Sequence, residues 1–167
     1  MESWIPEFRD HFTNRETSLG FRFDVSMRGA LGIGVDIAQL TETELKEFET
    51  HIAFYKEIRE TVQKGEPHRL KCYDNEERIS IWQFVDREGL KSVYSEIHTG
   101  IKSGKFYKSP PLRNLLNNAN YCLRDAHGEF STIKKGFELM TFGLPLIESV
   151  VRSHQPLRSR SIYIEKV

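Results

Sequence analysis

The feature that most limits how this chain can fold is one long amphipathic helix with both ends signalled. Thr41 is followed three residues later by Glu44. This is the capping-box pattern, in which the Thr hydroxyl and the Glu carboxylate satisfy free N–H groups of the first turn. Apolar residues then recur at Leu45, Phe48, Ile52, Tyr55, Ile58 and Val62, and these steps of three and four place them on one helix face. Glu42, Glu44, Lys46, Glu47, Glu49, Glu57 and Glu60 lie mostly off that stripe. Gly65 offers a left-handed terminus and Pro67 blocks continuation, so the predicted helix runs from Glu42 to Lys64. A stripe of that length needs a partner surface.

Upstream, Phe21, Phe23, Val25 and Met27 alternate with Arg22, Asp24 and Ser26, which predicts a strand over Phe21–Met27. Gly29, Gly32 and Gly34 follow, then Val35 and Ile37. Strand, glycine-rich turn and helix make one βα unit, and one such unit cannot close a sheet. Residues 1–66 therefore read as a piece of a larger layer. The strand would carry unpaired edges, and residues 1–40 would be loosely held or would pair with another chain.

From Pro67 the texture changes. Arg69–Tyr73, Ile79–Val85, Ser92–Ile97, Tyr121–Arg124 and Ser161–Glu165 suit strands, with turn chemistry at Asp74-Asn75, Arg87-Glu88-Gly89, Asp125–Gly128 and Lys135-Gly136. The Gly100–Pro111 neighbourhood reads as a loop. Short strands at this spacing predict an antiparallel β-sandwich over residues 67–167. The fold class expected is α+β.

The chain has 167 residues, 38% of them hydrophobic and 29% charged, as in a globular protein with a real core. Lys and Arg balance Asp and Glu at 24 each, so charge points to neither nucleic acid nor an anionic membrane as partner. No apolar run is long enough to span a bilayer, and Met1 to Asp10 lack a signal-peptide pattern, so a cytoplasmic protein is expected. Cys72 and Cys122 are in no metal or redox spacing and read as two buried free thiols.

No motif declares an active site. Gly29-x-x-Gly32-x-Gly34 is neither a dinucleotide fingerprint nor a P-loop, and the helix begins too far beyond Gly34 to cap a phosphate there. The histidines His11, His51, His68, His98, His127 and His154 form no His-Glu-x-x-His. Glu96 and His98 share a strand face, an ordinary surface pair with too few partners for a metal. Arg158, Ser159, Arg160 and Ser161 read as a solvated strand end. Most aromatics of the second half read as core, with Trp82 beside Tyr94 or Tyr107 as the one pairing that would suit stacking on a sugar if exposed. No catalytic, cofactor-binding or metal-ligating residue is assigned, and no cofactor is expected.

Several strings nonetheless resemble the end of the family 36 glycoside hydrolases of α-galactosidase (melibiase) type. Arg22-Phe23-Asp24-Val25-Ser26-Met27-Arg28-Gly29-Ala30-Leu31-Gly32-Ile33-Gly34 is similar to the last barrel strand and turn of that family. The likeness continues through Leu40-Thr41-Glu42-Thr43-Glu44-Leu45, Ile52–Arg59, Val62-Gln63-Lys64-Gly65 and Arg69-Leu70. Asp10–Thr17 looks like a segment that some members carry before that strand. Trp82 to Val85, the Gly136, Leu139, Met140, Gly143, Leu144 set, and Ser159 through Tyr163 fit the family's later pattern, while Lys105–Asn120 does not show it.

The resemblance implies the last βα elements of a (β/α)₈ barrel at residues 1–66, followed by a C-terminal sandwich. It implies a parent reaction, the hydrolysis of terminal α-galactosides, run by a nucleophile and an acid/base carboxylate about 5 Å apart. The family's Lys-Trp-Asp and Ser-Asp-Asn motifs for those groups are not found in this chain, and Asp24 and Asp36 match neither. The chain alone is thus expected to be inactive, with the missing barrel segment or a second copy of itself as partner. The other reading is a non-catalytic structural, oligomerisation or weak carbohydrate-binding module.

Overall fold

The structure is a computed structural model that describes residues 2–9, 14–73, 78–100, 108–147 and 157–167. It opens with strand β1 (Glu2–Ile5), helix α1 (Leu19–Ser26), strand β2 (Ala30–Ile33) and helix α2 (Glu42–Lys64). Strands β3 (Glu66–Lys71), β4 (Ile79–Val85), β5 (Lys91–His98), β6 (Asn120–Arg124) and β7 (Ser131–Lys135) follow, then helix α3 (Gly136–Phe142) and strand β8 (Arg158–Lys166).

Helix α2 forms where its signals place it. Thr41 N–H donates to Glu44 Oε2 at 2.9 Å and Glu44 N–H to Thr41 Oγ1 at 3.3 Å, the reciprocal box expected from the spacing. Its buried face is shifted from the expected stripe: His51 and Phe54 are buried, while Leu45 is partly exposed and Ile52 half-buried. Gly65 ends the helix in extended backbone, with φ −73° and ψ 169°, not in the left-handed form expected. Glycine is required there for space. A Cβ would lie 2.3 Å from Thr61 O and 2.6 Å from Val85 O, so the helix end and β4 meet backbone to backbone.

The expected strand at Phe21–Met27 is a helix instead. Ser18 caps it by accepting from Phe21 N–H at 3.3 Å. Leu19, Arg22, Phe23 and Ser26 are buried together, a helical spacing hidden from a polar/apolar reading because two of the four are polar. The real strand is the glycine-rich stretch. β2 pairs in parallel with β1, Trp4 opposite Gly32 and Ile5 opposite Ile33. A parallel pair needs a crossover, and α1 supplies it. One face of α1 is therefore packed core, with Phe23 and Met27 buried and Val25 exposed, and the pairing edges belong to β1 and β2.

The other six strands form one antiparallel sheet in the order β3-β4-β5-β8-β6-β7. Among the described residues this single sheet stands where two sheets of a sandwich were expected. Alternating side chains feed two cores. One face sends Phe84, Val93 and Tyr163 into a cluster with Ile5, Phe23, Phe48, Phe54 and Ile58, so α1, α2 and the parallel pair dock on it. The other sends Ile79, Ile81, Tyr94, Tyr121, Leu123, Ile162 and Ile164 against Leu112, Leu115 and Leu139. Strand β7 and helix α3 replace the simple turn expected at Lys135-Gly136. Cys72 is exposed and Cys122 half-buried, so neither is the buried thiol expected. The turn at Asp74-Asn75 and most of the Gly100–Pro111 loop lie outside the described residues.

Substituting Gly65 tests the abutment of α2 and β4. Gly65→Ala is expected to lower stability by about 1–3 kcal/mol, as overpacking against backbone does. Urea unfolding would show it as a lower midpoint at unchanged slope; an unchanged midpoint would refute the contact.

Candidate functional site at the ends of the parallel strands

In open α/β layers, ligands gather at the carboxyl ends of parallel strands, where the strand-to-helix segments converge. Here those ends are Ile5 and Ile33. A cavity of about 790 Å³ lies beside them, lined among others by Trp4, Glu7, Arg9, Arg15, Arg22 and Gly34. Trp4 is 62% exposed, and its indole lies over Gly32, where a Cβ would come within 2.7 Å of Trp4 Cε3. Glycine in β2 thus leaves room for a flat aromatic on the ribbon.

The polar groups at this end are held by one another. Gly34 N–H donates to Ile5 O at 3.0 Å, and Asp36 N–H to Glu7 Oε1 at 3.3 Å, tying the two loops together. Arg9 Nε donates to Glu16 Oε1 at 3.1 Å. Asp36 caps the short helical turn Ile37–Gln39 by accepting from Ala38 N–H. Arg22 is buried and Nη1 donates to Pro6 O at 2.7 Å, while Nε has no hydrogen-bond partner. Burial lowers its pKa against the opposing pull of Glu44, Glu7 and Glu47. Glu7, Glu16 and Asp36 are each engaged in local contacts, with Asp36 N–H, Arg9 and Ala38 N–H respectively.

A second cavity, of about 370 Å³, lies where α1, α2, the β6–β7 turn and β8 meet. Asp24, His51, Asp125, His127, Ser159 and Ser161 line it. Ser159 Oγ donates to Asp24 Oδ2 at 2.7 Å. His51 stacks on Phe23 at 4.5 Å between ring centroids and meets His127 edge-on at 5.1 Å. Neither ring nitrogen of His51 is hydrogen-bonded. Serine, histidine and aspartate are gathered, yet the serine donates to the carboxylate and no hydroxyl is bonded to His51, so this is not a nucleophile–base relay.

The Glu96 and His98 pair, expected on the surface, is buried. Glu96 accepts from His98 Nε2, from Tyr94 OH at 3.0 Å, from Arg160 Nε at 2.9 Å and from Ile147 N–H at 3.0 Å. Burial opposes its ionisation, but these donors outweigh that and hold its pKa below the usual range. Among the described residues, no group of three His, Cys, Asp or Glu is placed to hold a metal. The basic strand end is likewise partly internal, since Ser161 is buried and Arg160 pairs with Glu96. Trp82 and Tyr94 cannot form one platform, because Trp82 packs toward the helical face while Tyr94 is fully buried on the other. Tyr107, His11 and His154 lie outside the described residues. The sequence reading missed Trp4 and the lining of one cavity by both Asp24 and His51. Placing His51 three residues after Phe48 and four before Tyr55 on the buried helix face would have flagged it.

Comparison with known proteins fits this layout. The Melibiase family model matches residues 1–65, which cover β1 through α2. Alpha-galactosidase AgaA of Geobacillus stearothermophilus is 30% identical over 147 residues, covering 87% of this chain and 19% of that protein. Its crystal structure, a GH36 alpha-galactosidase, superposes with a TM-score of 0.85 at 28% identity, over 100% of this chain and 22% of that one. The chain is α-galactosidase-like, of glycoside hydrolase family 36. Alpha-galactosidase 1 of Pediococcus pentosaceus is 36% identical over 128 residues, 75% of this chain and 17% of that protein. A variant of AgaA solved with raffinose also superposes, with a TM-score of 0.84 at 27% identity over 100% of this chain and 22% of that one. This α-galactosidase-like chain spans less than a fifth of the length of the curated relatives it matches. It matches the C-terminal region of the GH36 structures. No helix among its described residues is long and apolar enough to cross a membrane.

The second cavity sets a pH dependence. Burial pushes the Asp24 carboxyl from its ordinary 3.8 up to about 6, against hydrogen bonds from Ser161 and Ser159 and the charges of Arg28 and His127. Asp24 therefore favours the fold fully below its ordinary value, and that contribution is lost as pH rises through about 6. Burial, and then His127, push His51 from 6.5 down to about 4. Its contribution is full above its ordinary value and is lost as pH falls toward about 4. The two oppose each other over the same window. Asp24→Asn is expected to stabilise the protein near neutral pH by about 1–3 kcal/mol and to leave stability unchanged well below about pH 4. Chemical unfolding across pH would then fall more steeply on acidification in the variant than in the parent; parallel profiles would contradict the assignment.

Proposed function

We propose that this chain is the C-terminal part of an α-galactosidase-type retaining glycosidase, and that by itself it does not hydrolyse α-galactosides. In this reading β1-α1-β2-α2 is the last quarter of a (β/α)₈ barrel. The six-stranded sheet with α3 is the C-terminal domain that braces it. The observation that carries the reading is the parallel β1–β2 pair with helical crossover, seated on an antiparallel sheet. It is joined to a likeness confined to about a fifth of the relatives' length.

The parent reaction needs two carboxylates flanking the glycosidic bond, one as nucleophile and one as acid/base. At the strand ends of this chain Glu7 binds the backbone of the next loop, Glu16 binds Arg9 and Asp36 caps a turn. Both reacting groups belong to the preceding strands of the parent barrel, and binding alone cannot replace them. The partner of β1 and β2 is that missing barrel segment, which would continue their ladder. The AgaA variant solved with raffinose supports terminal α-galactosides as the substrate class of the assembled site.

A non-catalytic role is the second reading, favoured by the exposed indole of Trp4 on a ribbon whose strands pair only with each other among the described residues. It holds the chain to be a structural, oligomerising or weak sugar-binding module.

The purified chain is expected to release no chromophore from p-nitrophenyl α-galactoside above a mock preparation carried through the same steps. Saturable release that copurifies with the chain would overturn the reading, since it would require a reacting pair among the residues described above.

A further inference from the structure

Glu96 has no part in the glycosidase reading, yet its side chain is wholly buried and saturated with donors. Oε1 accepts from His98 Nε2 and from Ile147 N–H at 3.0 Å; Oε2 accepts from Tyr94 OH at 3.0 Å and from Arg160 Nε at 2.9 Å. Two donors on each oxygen fill the acceptor sites of an ionised carboxylate. The charged and titratable groups around it come from two strands. β5 supplies Tyr94 and His98, and β8 supplies Arg160, opposite Glu96 in the ladder, and Arg158, opposite His98. β4 places Ile81 and Ile79 opposite Glu96 and His98, and Leu112, Leu115, Leu139 and Leu144 pack on the same face. The Ile147 donor is not part of the sheet. Residues 143–147, which follow α3, belong to no strand or helix. Leu144 is buried in the core of that face and Leu146 packs against it. The backbone of this stretch is tethered by Ser109 Oγ to Leu144 O, by Arg160 Nη2 to Pro145 O, and by Ile147 N–H to Glu96. The last two tethers both run through the Glu96–Arg160 pair.

We propose that Glu96 is a protonation-sensitive clasp, which holds the stretch from Leu144 to Ile147 down on the sheet while ionised and releases its Ile147 end on taking up a proton. An incoming proton cannot be placed without breaking a contact. Arg160 and the Ile147 amide only donate, so neither can accept from a carboxyl O–H. The acceptors within reach are the Tyr94 oxygen, once its hydroxyl turns, and His98 in its other tautomer. In both cases Arg160 is left beside a neutral group. The Ile147 amide also loses a charged acceptor, and charge-assisted hydrogen bonds are about twice as strong as neutral ones. Burial opposes the charge on Glu96, but the donors His98, Arg160 and Ile147 hold its carboxyl below the ordinary 4.5. The contribution of the clasp is therefore full above that ordinary value and is lost as pH falls through the lowered one. Ile147 also lines the cavity shared by Asp24 and His51, so release of this end opens one of its walls. The device lies within the sheet and does not depend on the barrel being complete.

The test is NMR of the full chain, reading the Ile147 amide against the Leu112 amide, which donates to Leu139 O at 3.0 Å and does not involve Glu96. In the parent, acidification below the ordinary carboxylate range is expected to move the Ile147 amide proton upfield. Its protection from exchange should fall about tenfold or more, corrected for the intrinsic rate, while Leu112 keeps its own. Glu96→Gln is close in shape and neutral at every pH. It is expected to lower Ile147 protection about tenfold or more already at neutral pH, to leave Leu112 unchanged, and to abolish the acid response of Ile147. If the variant does not fold, the parent titration decides alone. Ile147 and Leu112 losing protection together, an Ile147 amide that holds until the whole chain unfolds in acid, or protection unchanged in Glu96→Gln would overturn the proposal.

Discussion

Everything in this fold depends on the docking of two helices and a two-stranded parallel ribbon onto one face of an antiparallel sheet. A two-stranded sheet is marginal in water by itself. Here Ile5, Phe23, Phe48, Phe54 and Ile58 share their core with Phe84, Val93 and Tyr163 of the sheet. Arg28, just past the end of α1, fixes the register of that docking. Its guanidinium donates to Ser95 Oγ at 2.8 Å, to Ser80 Oγ at 3.3 Å, and to the carbonyls of Ser80 and Ser95 at 3.2 Å each. Burial pulls its pKa down to about 10, opposed by Asp24. A planar fork meets two adjacent strands, and a lysine could not reproduce that geometry.

A second polar device locks the ribbon itself. Tyr55 OH donates to Gly29 O at 2.8 Å and accepts from Leu31 N–H at 3.1 Å and Gln63 Nε2 at 2.8 Å. The long helix thereby holds the entry to β2, which sets where Gly34 and Asp36 emerge at the strand ends. Tyr121 does the equivalent work on the opposite face, accepting from Leu116 N–H and donating to Gly89 O. The position of the candidate site thus follows from a chain of contacts running from the sheet through α2 to the ribbon.

The sequence showed most where one physical rule acted alone. Helix α2 was legible from its capping box, and β4 was legible to the residue from Ile79 to Val85 because both its faces are apolar enough to bury. The family was legible from strings in Arg22–Leu70. The reading failed where buried residues are polar. Arg22, Asp24 and Ser26 made α1 look like a half-solvated strand, and Glu96 with His98 looked like a surface pair. Their burial is compensated by partners distant in sequence, such as Ser159 for Asp24 and Arg160 for Glu96, and local periodicity carries no record of those. Strand β2 was hidden in a glycine-rich stretch because Gly32 answers to the indole of Trp4, a contact across strands.

The chain carries two tryptophans, and they report on the two parts separately: Trp4 on the parallel ribbon, and Trp82 on the antiparallel sheet beneath Arg69 at 4.6 Å. The most direct test of a parallel ribbon held in place by the sheet is urea unfolding of Trp4→Phe and Trp82→Phe, each read by the fluorescence of the tryptophan that remains. If the ribbon and the sheet share one core, the two curves coincide after correction for the stability of each variant, and both agree with circular dichroism. If the Trp4 signal changes at clearly lower urea than the Trp82 signal, the ribbon is not held by the sheet, and the account of the fold and of its candidate site is wrong.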